Sequence, residues 1–252
     1  MSVYALILLA VLFFITSAVG VVTGSNSLVT VPIMFQFGIE PKTAVATNMF
    51  GLLFMAVGAT IPFLRTGTLD RRRLTPLVLL TLVSSTIGAL LVGSIKSETI
   101  PIIVSVSMIV VVAFTLFKRK AGIAGDQKEQ ISRRSLGIAY AITFVLGIYG
   151  GLYSGGYVTM LTAAFVAFLG MTFTEAVAGT KLINVFSSLI ATIIFMWQGL
   201  VDYRLGAILA VIMFTAAFVG AKTVTKLNDL WLKRIFLATV LLLAVKTIFD
   251  FI

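Results

Sequence analysis

Residues 174–197 form an apolar run broken, after Glu175, by a single charge, the ammonium of Lys181. A run of this length matches the roughly 30 Å hydrocarbon core of a bilayer, which takes about 20 helical residues to cross. In lipid every backbone N–H and C=O must be paired within the protein, so such a segment is helical. Comparable runs recur at residues 3–23, 43–64, 74–95, 100–117, 135–150, 205–221 and 231–251, with shorter ones at 28–37 and 157–169. Together they predict an all-α polytopic membrane protein.

Composition agrees and removes other classes. Hydrophobic residues make up 60% of the chain and charged residues 11%, where a soluble domain has about a quarter charged. The net charge of +10 would suggest nucleic acid in a soluble protein. Here the basic residues gather in short loops between apolar runs, as cytoplasmic loops do, so nucleic acid is not an expected partner. The chain has no Cys and no His, which removes disulfides, thiolate chemistry and the commonest metal ligand; no metal or cofactor is expected. The first basic residue is Lys42, so residues 3–23 lack the charged flank of a cleaved signal and are expected to remain in the mature protein.

The segment order recurs. A shift of 132 positions places Ala44-Val45-Ala46 on Ala176-Val177-Ala178, Ala59-Thr60-Ile61 on Ala191-Thr192-Ile193, and Phe63 on Phe195. It also places Gly38 on Gly170, Gly67 and Asp70 on Gly199 and Asp202, and Gly88-Ala89 on Gly220-Ala221. A shift of 131 brings Gly20 and Gly24 onto Gly151 and Gly155. Matching glycines, aspartates and breaks at one offset predict two homologous halves. The expected division is a first transmembrane repeat at 1–118, a basic cytoplasmic linker at 119–134 and a second repeat at 135–252.

Lys and Arg predict the orientation. If the short segments cross, each half has five, and one side collects Arg65, Arg71, Arg72, Arg73, the linker cations and Lys222, Lys226, Lys233 and Arg234. The other side keeps Lys42, Lys96 and Arg204. If the short segments instead re-enter and leave on one face, that bias weakens. The positive-inside rule favours crossing, which makes the halves inverted copies, five plus five, as in many secondary transporters. The short segments also suit half-helices.

Paired Gly-interrupted segments in corresponding halves mark a transporter's binding site. Here the pair is 20–27 and 150–156. Glycines let backbone amides approach a ligand, and a half-helix N-terminus offers free N–H groups to an anion. Lys181 is the charge that fits such a site: facing lipid it would be costly, so it faces protein, water or an anion, unless it snorkels to an interface. Asn184 shares its helical face and Thr180 is its neighbour. The first half offers Thr47 and Asn48 at the matching positions. These residues, with Gly24, Ser25, Asn26, Gly155 and Gly156, form the candidate substrate-binding set. An oxyanion needs several convergent donors, and Lys supplies a compact charge without a rigid two-pronged grip.

The stretch GVVTGSNSLVTVPIMFQFGIEPKTAVATN, followed in the second half by GIYGGLYSGG, GTKLIN and QGLVD, resembles the sulfite exporter TauE/SafE family of membrane permeases along essentially the whole chain. At Gly24-Ser25-Asn26-Ser27 the chain departs from the family, which is usually richer in glycine there. The resemblance implies a permease in the cytoplasmic membrane for small sulfur-containing anions such as sulfite, sulfoacetate or other sulfonates. Expected partners are that anion, the lipid bilayer and further copies of the chain. The competing readings are an anion channel and a membrane enzyme; the second lacks His and Cys for a catalytic constellation.

Other polar residues have structural alternatives. Glu175 is either a proton-coupling carboxylate or a helix-start charge. Asp70 and Asp202 read as helix caps, Lys246 and Asp250 as an i,i+4 pair, and Trp197 and Tyr203 as interfacial anchors.

Overall fold

The computed structural model describes residues 3–24, 26–65, 69–120 and 132–224. Every regular element among them is helical: α1 (Val3–Thr23), α2 (Ser27–Gln36), α3 (Pro41–Arg65), α4 (Arg71–Ser94), α5 (Ile100–Lys120), α6 (Arg133–Leu152), α7 (Tyr157–Leu169), α8 (Phe173–Trp197) and α9 (Tyr203–Val224), with one 3-10 turn at Ser97–Thr99. Six of these, α1, α3, α4, α6, α8 and α9, are long and apolar enough to cross a membrane. The exposed surface is apolar in the way lipid demands, with Ile7, Leu8, Leu79, Val83, Val145, Ile193, Val211 and Val219 all facing outward. The chain is a multi-pass membrane protein. The expected final segment, residues 231–251 with Lys246 and Asp250, and most of the 119–134 linker lie outside the described residues.

Helix ends follow local chemistry. Asp70 caps α4 through the N–H groups of Arg72 (3.0 Å) and Arg73 (3.4 Å), and Asp202 caps α9 through Leu205 N–H (3.0 Å). Thr172 and Glu175 form a reciprocal capping box at the start of α8, which satisfies two amides that a helix N-terminus otherwise leaves open. The sequence places the second break at 150–156, but α6 continues through Gly150 and Gly151 to Leu152. Both glycines are held in the helix by close packing: a side chain at Gly151 would strike the Ser85 carbonyl, and one at Gly150 the ring of Tyr157.

The two short helices set the topology. α2 has 10 residues and α7 has 13, about 15 and 20 Å at 1.5 Å per residue, so α2 reaches through only about half the hydrocarbon core. α2 nevertheless returns the chain to its starting face: Phe37, Gly38 and Ile39 line one pocket with Val3 and Leu6. The same pocket includes Asp202 and Arg204, and Lys42 Nζ donates to Gly93 O at 3.1 Å. One face therefore carries the start of α1, the α2–α3 turn, the end of α4 and the α8–α9 turn. At the opposite end Leu74 of α4 packs on Gly179 of α8. The start of α6 lies beside the end of α7, where Ser135 Oγ donates to Phe168 O at 2.8 Å.

Each half's first helix packs on the other half. α1 lies along α9 and α6 along α4. In each case a glycine makes the seam: a side chain at Gly220 would collide with Ala18 O, and one at Gly88 with Ile148 O. Small residues let membrane helices approach to backbone contact in this way. α3 and α8 cross the centre and pack on each other, α3 also against α9 and α8 against α4.

A lysine cavity where the two chain breaks meet

α1 ends at Thr23, and Gly24 turns the chain with φ +67°. α7 starts after Gly156, also left-handed at φ +79°. Gly24 fits because it is small as well as permissive: a Cβ there would lie 2.8 Å from Val158 and 2.9 Å from Thr159 N. The breaks are also linked directly, since Tyr153 Oη donates to Ser27 O at 2.8 Å. The Tyr149 hydroxyl donates to the Gly155 carbonyl, and the Tyr149 and Tyr153 rings meet edge-on with centroids 6.2 Å apart.

Around this junction Gly20, Gly24, Asn26, Ser27, Ser154, Val158, Lys181 and Asn184 enclose a cavity, with Leu52, Met55, Ala56 and Ala59 of α3 as its apolar wall. Lys181 is 3% exposed. Its Nζ donates to Gly20 O at 2.9 Å, and among the described residues no carboxylate pairs with it. An ammonium has three donors, so this one keeps donor capacity directed at the cavity. Asn184 joins it on the same face of α8, its Oδ1 3.5 Å from Ser188 Oγ. Asn26 reaches Ser17 Oγ and Met55 Sδ, both at 3.4 Å, and its Oδ1 is buried with no partner among the described residues. The cavity accommodates about one water molecule, about 10 Å³. A tetrahedral oxyanion is several times larger, so admitting one requires the surrounding helices to part.

Seven of the predicted residues lie at the cavity or beside it. Lys181, Asn184, Gly24 and Asn26 line the cavity. Asn48 lies one contact behind its wall, donating to Ser27 Oγ at 2.9 Å and accepting from Thr30 Oγ1 at 2.7 Å. That pins the first turn of α2 to α3. Gly155 and Gly156 shape the second break beside Ser154.

Three others point elsewhere. Thr180 Oγ1 is 3.0 Å from Thr162 Oγ1 and ties α8 to α7. Thr47 accepts the Asp202 N–H at 3.0 Å, holding the α8–α9 turn. Glu175 is exposed in its capping box. Ser25 lies outside the described residues.

The sequence reading did not single out Ser17, Leu52, Met55, Ser154 or Tyr153. The signal for two of them was present: Leu52 and Met55 follow Asn48 at i+4 and i+7 on one face of α3.

A helical membrane bundle with a lysine-bearing cavity at paired breaks fits a membrane transporter. The family profile described as sulfite exporter TauE/SafE matches residues 8–247, and the chain belongs to this family. It is 25% identical over 246 residues to a probable membrane transporter protein of Haemophilus influenzae, covering 96% of this chain and 95% of that one. It is 26% identical over 249 residues to the probable membrane transporter protein YfcA of Escherichia coli K12, covering 97% and 91%. A third relative, probable membrane transporter protein ORF9 of a Sinorhizobium species, is 25% identical over 248 residues, covering 96% and 93%. No solved structure matches the chain.

Proposed function

We propose that the chain is a secondary transporter that moves a small sulfur-containing anion, such as sulfite, sulfoacetate or another sulfonate, across the cytoplasmic membrane, binding it at Lys181. The observation that carries the reading is a buried ammonium whose described partner is a neutral carbonyl, Gly20 O. Burying a charge without a counter-charge is unfavourable, and an arriving anion relieves that cost. The N-termini of α2 and α7 both open near the cavity, and helix N-termini favour negative charge. The family's description supports sulfite as the type substrate. A cavity with room for about one water favours an alternating carrier over an open channel.

The inverted five-plus-five arrangement belongs to the same proposal. It is supported by the reciprocal seams, α1 on α9 and α6 on α4, and by α2 returning the chain to its starting face. The face rich in Arg is then cytoplasmic and the face of Lys42, Lys96 and Arg204 is external.

The test is a thermal-shift panel of oxyanions and sulfonates on purified wild type and Lys181→Met. Sulfite or a sulfonate should raise the melting temperature of wild type and leave the variant unmoved. Equal shifts in both proteins would remove Lys181 from the site.

A further inference from the structure

Six buried side-chain polar atoms have no hydrogen-bond partner among the described residues, and four of them are Thr81 Oγ1, Tyr157 Oη, Thr192 Oγ1 and Gln198 Oε1. Three of them, on Thr81, Tyr157 and Gln198, lie along α4, and Thr192 lies on α8. Thr81 lies on α4 against Gly147 of α6. The Tyr157 hydroxyl is flanked by Thr81 and Ser187, with its ring on Gly150. Between them Ser85 Oγ lies 2.7 Å from Ser187 Oγ and 3.1 Å from Gly147 O. Gln198 reaches the carbonyls of Ala89 and Leu90 at the end of α4, both at 3.5 Å.

Lys181, Asn184, Ser188 and Thr192 recur at helical spacing on α8, with Ser187 alongside, and all five are buried. The column leaves the cavity and climbs about 16 Å to Thr192 at 1.5 Å per residue, toward the face of Lys42 and Lys96. The 132-residue offset gives the first half no such column. Asn184, Ser187 and Ser188 become Leu52, Met55 and Ala56, while Thr81, Ser84 and Ser85 correspond to Met213, Ala216 and Ala217. Thr192 becomes Thr60, whose hydroxyl is already committed to Ala56 O at 2.7 Å. Buried hydroxyls normally find partners, and in a membrane interior their absence is unfavourable. Water, or an anion accepting O–H donors, satisfies such groups.

We propose that the seam between α4 and α8 is the hydrated route by which a small anion passes between the Lys181 cavity and the face carrying Lys42, Lys96 and Arg204. The corresponding seam between α3 and α9 stays dry. Neutral hydroxyls suit this passage because they donate to an anion's oxygens without a fixed charge that would trap it. The route rests on the transporter reading above.

The natural chain has no cysteine, so single cysteines report accessibility without a background. The experiment places Ser187→Cys, Thr192→Cys and Thr81→Cys in vesicles, with Met213→Cys and Ala217→Cys on the dry seam and Glu98→Cys as an exposed reference. A negatively charged methanethiosulfonate reagent is added to both sides of the membrane. Only a hydrated thiol ionises and reacts, so Ser187→Cys and Thr192→Cys should label within about tenfold of Glu98→Cys, and the dry-seam pair about a hundredfold more slowly. Labelling of Ser187→Cys and Thr192→Cys as slow as Met213→Cys overturns the route, and dry-seam labelling as fast as theirs overturns its one-sidedness. Size-exclusion profiles identify any misfolded variant, and three route positions keep the comparison intact if one fails. Labelling is read without transport, so it stands or falls separately from the effect of Lys181→Met on anion binding.

Discussion

Lys181 Nζ donates to the carbonyl oxygen of Gly20 at 2.9 Å, joining α8 to the last turn of α1. The same carbonyl accepts the Gly24 N–H at 2.9 Å, so one oxygen both closes α1 and holds the ammonium. Lys181→Met keeps length and apolar bulk while removing the charge. Loss of a charge-assisted hydrogen bond should weaken anion binding by about 1.5–3 kcal/mol, on the order of ten- to a hundredfold. Arg keeps the charge but its planar head does not fit a cavity this small, so Lys181→Arg should restore only part of the affinity. Isothermal titration of the three proteins with the best anion of the panel checks this.

Gly24 and Gly170 separate two reasons for a glycine. Both have positive φ, +67° and +58°, but only Gly24 has neighbours within reach of a Cβ. Gly170→Ala should cost only the left-handed backbone, about 1–2 kcal/mol. Gly24→Ala adds a clash with Val158 and the Thr159 amide and should cost about 2–5 kcal/mol in all. Melting temperatures in detergent should fall in that order, and a larger drop for Gly170→Ala would contradict the packing described for the first break.

Tyr153→Phe removes the hydroxyl that links the breaks and leaves Ser27 O to find another donor. The expected loss is about 1 kcal/mol of stability. Anion affinity should change little, because the hydroxyl bonds protein and not the cavity, while the rate of uptake into vesicles should change as the junction loosens. Unchanged uptake would reduce Tyr153 to a packing residue.

The distribution of faces predicts reporter behaviour. A reporter active only in the cytoplasm should work when inserted within residues 121–131 and be silent when inserted between Ser94 and Glu98. Activity at both positions would place the two insertion sites on one side and remove the inverted arrangement.

The helices were legible because membrane spans are written in local composition. The bounds of α1 and α7 follow directly from where apolar residues begin and end, and Asp70 and Asp202 announce caps by type and position. Lys181 and Asn184 were legible for a related reason: a charge in an apolar run is expensive wherever the run folds. Thr47 misled because it neighbours Asn48 in sequence, yet one residue turns a helix by about 100°, and its hydroxyl faces the α8–α9 turn. Tyr153 and Ser154 were hidden because nothing local distinguishes a residue that meets a partner more than a hundred positions away. Ser187 is one of a few polar residues in the apolar run 174–197, but its contact with Ser85 depends on α4 coming alongside.

The glycine seams at Gly88 and Gly220 have a consequence for how the polypeptide can be divided. Because α1 is bedded against α9 and α6 against α4, neither half keeps its own first helix at its core. Cutting the coding sequence within residues 121–131 should therefore give two fragments that are each degraded when made alone and recover a working transporter only when made together, so that the linker is dispensable as a covalent tie while the partner fragment is not.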